Sequence, residues 1–173
     1  MRVEHEYVRH GALALLAALD VHTGTVFAAT PAATGIVPFM DLIGQVMSLP
    51  EYKDAPRVFV IVDNGSDHRG QAAVKRLHDA WPNAIMIHTP VHASWLNQVE
   101  IFFAITQKKA LSPNDFASLD ELAGTLLAFV DRYNHTARPF NWKFTAADLA
   151  RLLDRISARE HAAQKPAKLP EAA

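Results

Sequence analysis

The stretch RVFVIVDNG, residues 57–65, decides the fold. Val58 to Val62 is an unbroken apolar run in which every residue but Phe59 is β-branched. A run of that kind reads as a strand covered on both faces. It stops abruptly at Asp63-Asn64-Gly65, residues that make turns. A strand ending in an acid matters because open α/β sheets bind ligands at the carboxyl ends of their strands. Taken alone, Asp63 has a plainer reading as an Asx residue shaping the turn.

Downstream, Val74, Leu77 and Trp81 form a helical stripe, and Ala84 to Ile87 is a short apolar strand closed by Thr89-Pro90. Upstream, GALALLAALDVHTGTVFAAT (11–30) is two apolar runs around His22-Thr23-Gly24. Its Ala and Leu would suit a helix equally well, but Gly24 and the length of each run favour a hairpin with strands near 12–20 and 25–30. In IVPFMDLIGQVMSL (36–49), Phe39, Ile43, Val46 and Met47 fall at helical spacing, with the helix starting near Pro38. Pro50 and Pro56 bracket a polar connection.

The remainder reads as helical. Ser94 is placed to cap a helix running through Lys109. Ser118 and Glu121 have capping-box spacing ahead of Leu122, Leu126, Phe129 and Tyr133. Thr145 and Asp148 repeat the signal before Leu149, Leu152, Leu153 and Ile156. From Ala158 the periodicity ends, so 158–173 reads as a disordered tail behind a domain over 1–157. The element order predicts a mixed α/β sheet flanked by helices.

Composition bounds the function classes. With 173 residues, half of them hydrophobic, the chain suits one domain with a core. No cysteine is present, which removes disulfides, thiolate zinc sites and thiol nucleophiles. The net charge of -1 lacks the basic excess of a dedicated nucleic-acid binder. No apolar run approaches the ~20 residues of a membrane span, and the N-terminus lacks a secretory apolar region. The expectation is a soluble, cytoplasmic protein.

Glu100 is the second acid of interest. On the expected helix it falls within the stripe of Leu96, Val99 and Phe103, where a carboxylate loses hydration unless a cation compensates. The plain alternative is a Glu paired with an Arg. Asp63 at a strand end and Glu100 on a helix, if they converge, suit Mg²⁺, which takes one or two carboxylates plus waters and phosphate oxygens. His68, His88 and His92 offer a competing zinc site, but they lack a shared helical face and no H-E-x-x-H is present. His68 alone is placed to contact phosphate, to orient a carboxylate, or simply to face solvent.

The segments IVDNGSDH (61–68), HTPVHASWLNQVEIFFAITQKKAL (88–111) and RYNHTARPFNWKFTAADL (132–149) resemble the catalytic core of the IS630 transposases in the Tc1/mariner group. RHGALALLAALDVHTGTV (9–26) resembles that family's second and third strands. The likeness spans roughly residues 5 to 155 and is most specific at PVHASWLNQVE (90–100). It implies an RNase H-like fold with a DDE triad that cleaves DNA and transfers strands using Mg²⁺ or Mn²⁺. Asp63 then matches the second acid and Glu100 the third; Asn64 and His68 match the motif around the former, Trp95 and Asn97 the motif around the latter.

In that family the first Asp lies in a strand upstream of the RHG segment, within an Asp-Glu pair, and a helix-turn-helix lies further upstream. The resemblance therefore implies an N-terminally truncated core, lacking the first, central strand of the order 3-2-1-4-5. Glu4, Glu6 and Asp20 are no convincing substitutes. Two unpaired strand edges would remain, and each buried unpaired backbone group costs about 1–3 kcal/mol. The expectations that follow are a chain inactive alone, a polypeptide from an upstream reading frame supplying the strand, or a non-catalytic DNA-binding fragment. DNA is the expected partner, with His92, Lys108, Lys109 and Arg138 as contact candidates; Arg132 and Lys143 are further scattered cations. The active family enzyme is expected to be oligomeric.

Overall fold

In the computed structural model, residues 11–91, 93–112 and 115–163 are described, and they divide between Pro139 and Phe140 into two compact units. The first contains β1 (Leu16–Leu19), β2 (Val26–Ala29), α1 (Ile36–Met47), α2 (Pro50–Lys53), β3 (Val58–Val62), α3 (Gly70–Ala80), β4 (Ala84–His88), α4 (Val99–Lys109) and α5 (Leu119–Asn134). The second carries α6 (Ala146–Ala163).

The hairpin forms as the apolar runs predict, with strands shorter than expected. β1 and β2 pair antiparallel, Leu19 opposite Val26. Gly24 turns the chain at φ +79°, and a Cβ there would stand 2.2 Å from the carbonyl oxygen of Arg138. Asn134 closes the other edge of β2: its Oδ1 accepts from the Val26 amide at 2.9 Å and its Nδ2 donates to the Val26 carbonyl at 2.8 Å. A side-chain amide thus satisfies the backbone groups that a further strand would otherwise take.

β3 and β4 pair parallel, Val62 opposite His88, across the α3 crossover. Among the described residues the two pairs form separate two-stranded sheets. The reading of β3 as covered on both faces is corrected. Val62 is buried, with Val58 and Val60 packed on the same core, while Phe59 and Ile61 on the opposite face are 59% and 47% exposed. Helices α1 and α3 pack one face only, supplying Ile43, Met47, Ala73 and Leu77 to a core with Val62, Ala84 and Met86. The sequence run reports hydrophobicity on both faces but not which of them this chain covers.

A second core joins Val26 to Phe102 of α4 and Phe129 and Val130 of α5. The Phe102 ring meets Tyr133 edge-on at 5.1 Å and stacks on Phe129 at 6.2 Å. The expected capping signals form. The Ser118 hydroxyl accepts from the Glu121 amide at 3.1 Å, and Glu121 Oε2 accepts from the Ala117 amide at 2.8 Å. In the second unit, Thr145 Oγ1 accepts from the Asp148 amide at 3.2 Å and Asp148 Oδ2 from the Thr145 amide at 2.9 Å.

Three further expectations need correction or qualification. The connection from Pro50 contains the short helix α2, nucleated by proline at its first position. The helix assigned from Ser94 is divided: Ser94–Leu96 is a 3₁₀ turn and α4 begins at Val99. α6 runs to Ala163, past the Ala158 at which a tail was expected, and 164–173 lie outside the described residues.

Candidate active site

The site is built on the end of β3. The Thr89 amide donates to the Val62 carbonyl at 2.8 Å, and Asn64 Nδ2 donates to the Thr89 carbonyl at 2.9 Å. These bonds tie the turn after β3 to the exit of β4. Asp63 lies between them with its side chain 39% exposed. Its Oδ1 accepts from the Gly65 amide at 2.9 Å and lies 2.6 Å from His68 Nε2. Its Oδ2 has no hydrogen-bond partner among the described residues. Partial burial pushes the carboxyl upward, but the bonds from His68 and Gly65 outweigh it and hold the group below its ordinary range.

The plain reading of Asp63 as a turn-shaping residue is observed. It makes the Asx turn to Gly65, and it also presents an unengaged oxygen at a strand end. His68 does not face solvent. It sits in the 3₁₀ turn Ser66–His68, its ring 5.0 Å from that of Phe39. His88 Nε2 donates to the His68 carbonyl at 2.7 Å. Phe39 did not stand out for the site in the sequence, and His88 did so only as a zinc candidate; tertiary packing brings both to His68.

Glu100 is placed differently from expectation. It lies in the first turn of α4, exposed and without an ion-pair or side-chain hydrogen-bond partner among the described residues. Because α4 starts at Val99, its buried stripe is Val99, Phe102 and Thr106, and Leu96 lies outside the helix. Glu100 therefore retains its hydration, and neither the dehydrated carboxylate nor the Arg-paired one is found. Asn97 Oδ1 lies 3.4 Å from the Val99 amide, at the entrance of α4. Trp95 is 39% exposed within the 3₁₀ turn.

Lys108 and Lys109 are exposed in the last turn of α4, and Arg138 is exposed beyond α5. Lys109 and Arg132 flank an open groove of about 330 Å³ between α4 and α5, with Ile105, Phe129 and Tyr133 in its walls. Lys143 belongs to the second unit. His92, Glu4 and Glu6 lie outside the described residues.

As donors, Asp63 and Glu100 suit a hard divalent cation: both are carboxylates, both are open to water, and Asp63 keeps one oxygen unengaged. Among the described residues no three His, Cys, Asp or Glu side chains converge as a ligand group. Of the histidines named for zinc, His68 and His88 spend their Nε2 atoms on Asp63 and on a backbone carbonyl, and His92 lies outside the described residues.

In a mixed α/β domain the carboxyl end of a parallel strand, where Asp63 lies, is the position at which ligands of open sheets bind. The particular kind of domain follows from comparison: residues 1–123 match the family described as DDE superfamily endonuclease, and the chain belongs to that family. DNA is thereby its class of substrate. No curated protein and no solved structure matches the chain. Among the described residues no helix is long and apolar enough to cross a membrane.

Proposed function

We propose that the chain is the catalytic-core part of a DDE transposase of the IS630 type, acting in the cytoplasm on insertion-sequence ends and target DNA with Mg²⁺ or Mn²⁺. The observation that carries this reading is Asp63, clamped through one oxygen at the end of β3 with the other left open, in a chain of the endonuclease family. Asp63 and Glu100 would hold the ions, Asn64 and His68 would fix the first of these acids, and Trp95 and Asn97 would shape the approach to the second. The chemistry such ions supply is activation of a water or 3′-hydroxyl and stabilisation of the leaving oxygen. Exposed Lys108, Lys109 and Arg138 would meet DNA phosphates, contacts that position a protein on the duplex. His92 is retained as a contact candidate on the family resemblance.

A DDE site needs a further acid, and the described residues bring no third ligand together. On the family resemblance that acid would sit on an Asp-Glu strand lying between β1 and β3. The active enzyme would act as an oligomer, as the family resemblance implies. Purified chain is expected to leave element-end DNA uncut in Mg²⁺ or Mn²⁺. Addition of the polypeptide carrying the Asp-Glu strand is expected to produce nicking that Asp63→Asn or Glu100→Gln removes. No nicking by the complemented pair would overturn the transposase reading. Nicking by the chain alone, lost in Asp63→Asn, would instead overturn the need for the third acid. A non-catalytic DNA-binding role is the second reading, favoured by the Lys109–Arg132 groove. It predicts salt-dependent DNA affinity that Lys109→Ala weakens and Asp63→Asn does not.

A further inference from the structure

The two oxygens of Asp63 stand in unlike surroundings, and the difference can be traced to where one hydrogen lies. Oδ1 is 2.6 Å from His68 Nε2. A carboxylate only accepts, so Nε2 must carry the hydrogen of that bond. The other ring nitrogen, Nδ1, is buried with no partner among the described residues. A hydrogen placed there would be a buried donor with nothing to receive it, and a neutral ring whose Nε2 already carries its one hydrogen leaves Nδ1 bare. Phe39 packs against the ring at 5.0 Å, and the His88 bond to the His68 carbonyl fixes the backbone that carries it.

Gly65 supplies the second donor and also the room. Its φ of -59° is open to any residue, so conformation does not explain the glycine. Space does: a Cβ would stand 3.0 Å from His68 Cε1 and Nε2 and 3.1 Å from Asp63 Oδ1. A methyl group there would press on both partners of the bond.

We infer that His68 and Gly65 are positioning residues that occupy Oδ1 of Asp63 with two N–H donors, leaving Oδ2 as the single oxygen offered to a divalent cation. The inference rests on the reading of Asp63 as a metal ligand. A carboxylate fixed in this way binds through one oxygen, in a set orientation, rather than chelating through both. Outer partners that orient a ligand are themselves sensitive positions in metal sites.

The experiment uses the full chain and two measurements. The ¹⁵N resonances of His68 are expected to show hydrogen on Nε2 and a bare Nδ1; hydrogen on Nδ1, or averaged nitrogens, overturns the inference directly. Mn²⁺ affinity, read from the signal of the free ion without any assay of cutting, is then compared across variants. His68→Gln carries an amide N–H at the reach of Nε2, while His68→Asn carries one only at the reach of Nδ1. His68→Gln is expected to stay within about threefold of the unsubstituted chain, and His68→Asn, His68→Ala and Gly65→Ala to weaken Mn²⁺ binding by roughly 10–100-fold. If Asp63→Asn loses Mn²⁺ while the His68 and Gly65 variants keep it, the positioning role falls and the ligand reading stands. If Asp63→Asn binds Mn²⁺ as well as the unsubstituted chain, the ligand reading falls, and the role of Oδ2 falls with it.

Discussion

At the scale of the residue, the structural weight of Asp63 can be read from its titration. Its hydrogen bonds from His68 and Gly65 hold the folded carboxyl below its ordinary value of 3.8. A carboxyl depressed by folding contributes stability that is complete above the unfolded value and is lost as pH falls through the folded one. The chain should therefore lose this contribution only below about pH 4. Because the side chain is 39% exposed, the contribution is well under about 1 kcal/mol. Urea midpoints measured from pH 5 downward should fall more steeply in the unsubstituted chain than in Asp63→Asn, which has no proton to take up. Parallel curves would show that the bonds to Oδ1 do not favour the ionised acid. Asp63 was legible in the sequence because an acid ending an apolar run is a local feature. The role of Gly65 was not, since its reason is the distance to His68 three residues on and not its own backbone angle.

At the scale of the element, two of the three capping signals form where the sequence puts them. Ser118–Glu121 and Thr145–Asp148 form capping bonds as their spacing implies, because a cap needs only the turn it starts. Ser118→Ala should lower stability by about 1 kcal/mol, measured by denaturant unfolding, with little change in the slope. β3 shows the opposite case. VFVIV carries no sign of which face will be covered, and the burial of Val62 against the exposure of Phe59 is decided by where α1 and α3 land. Val62→Ala is therefore expected to cost about 1–3 kcal/mol, whereas Phe59→Thr should stay within roughly 0.5 kcal/mol. Equal losses at the two positions would mean that the open face is covered in solution. The misplaced start of α4 has a similar origin. Ser94 has the chemistry of a cap, but the chain makes a 3₁₀ turn there before the α-helix begins, and that delay moves Glu100 off the buried stripe.

At the scale of the whole first unit, the question is what holds two sheets and two cores together. The core under β3 and β4 and the core around Phe102 contain different residues. α1 lies against both hairpin strands while giving Ile43 and Met47 to the β3–β4 core. Tyr52 of α2 is the other strap. Its ring packs on the β3–β4 core and meets Phe27 of β2 edge-on at 5.9 Å. Its hydroxyl donates to Asp20 Oδ2 at 2.8 Å, at the end of the hairpin. Burial, and then that bond, push the phenol well above its ordinary value, so the hydroxyl keeps its hydrogen at any pH where the protein would be used. Tyr52→Phe removes the bond but keeps the ring, and should cost about 1 kcal/mol in a single cooperative transition. Tyr52→Ala removes both contacts to the hairpin. In hydrogen exchange, the slowest amides of β1–β2 and of β3–β4 should open at a common free energy in the unsubstituted chain and in Tyr52→Phe, and at separate ones in Tyr52→Ala. A shared opening energy in Tyr52→Ala would leave α1 as a sufficient strap by itself. Separation would show that this side chain couples the sheet bearing Asp63 to the hairpin.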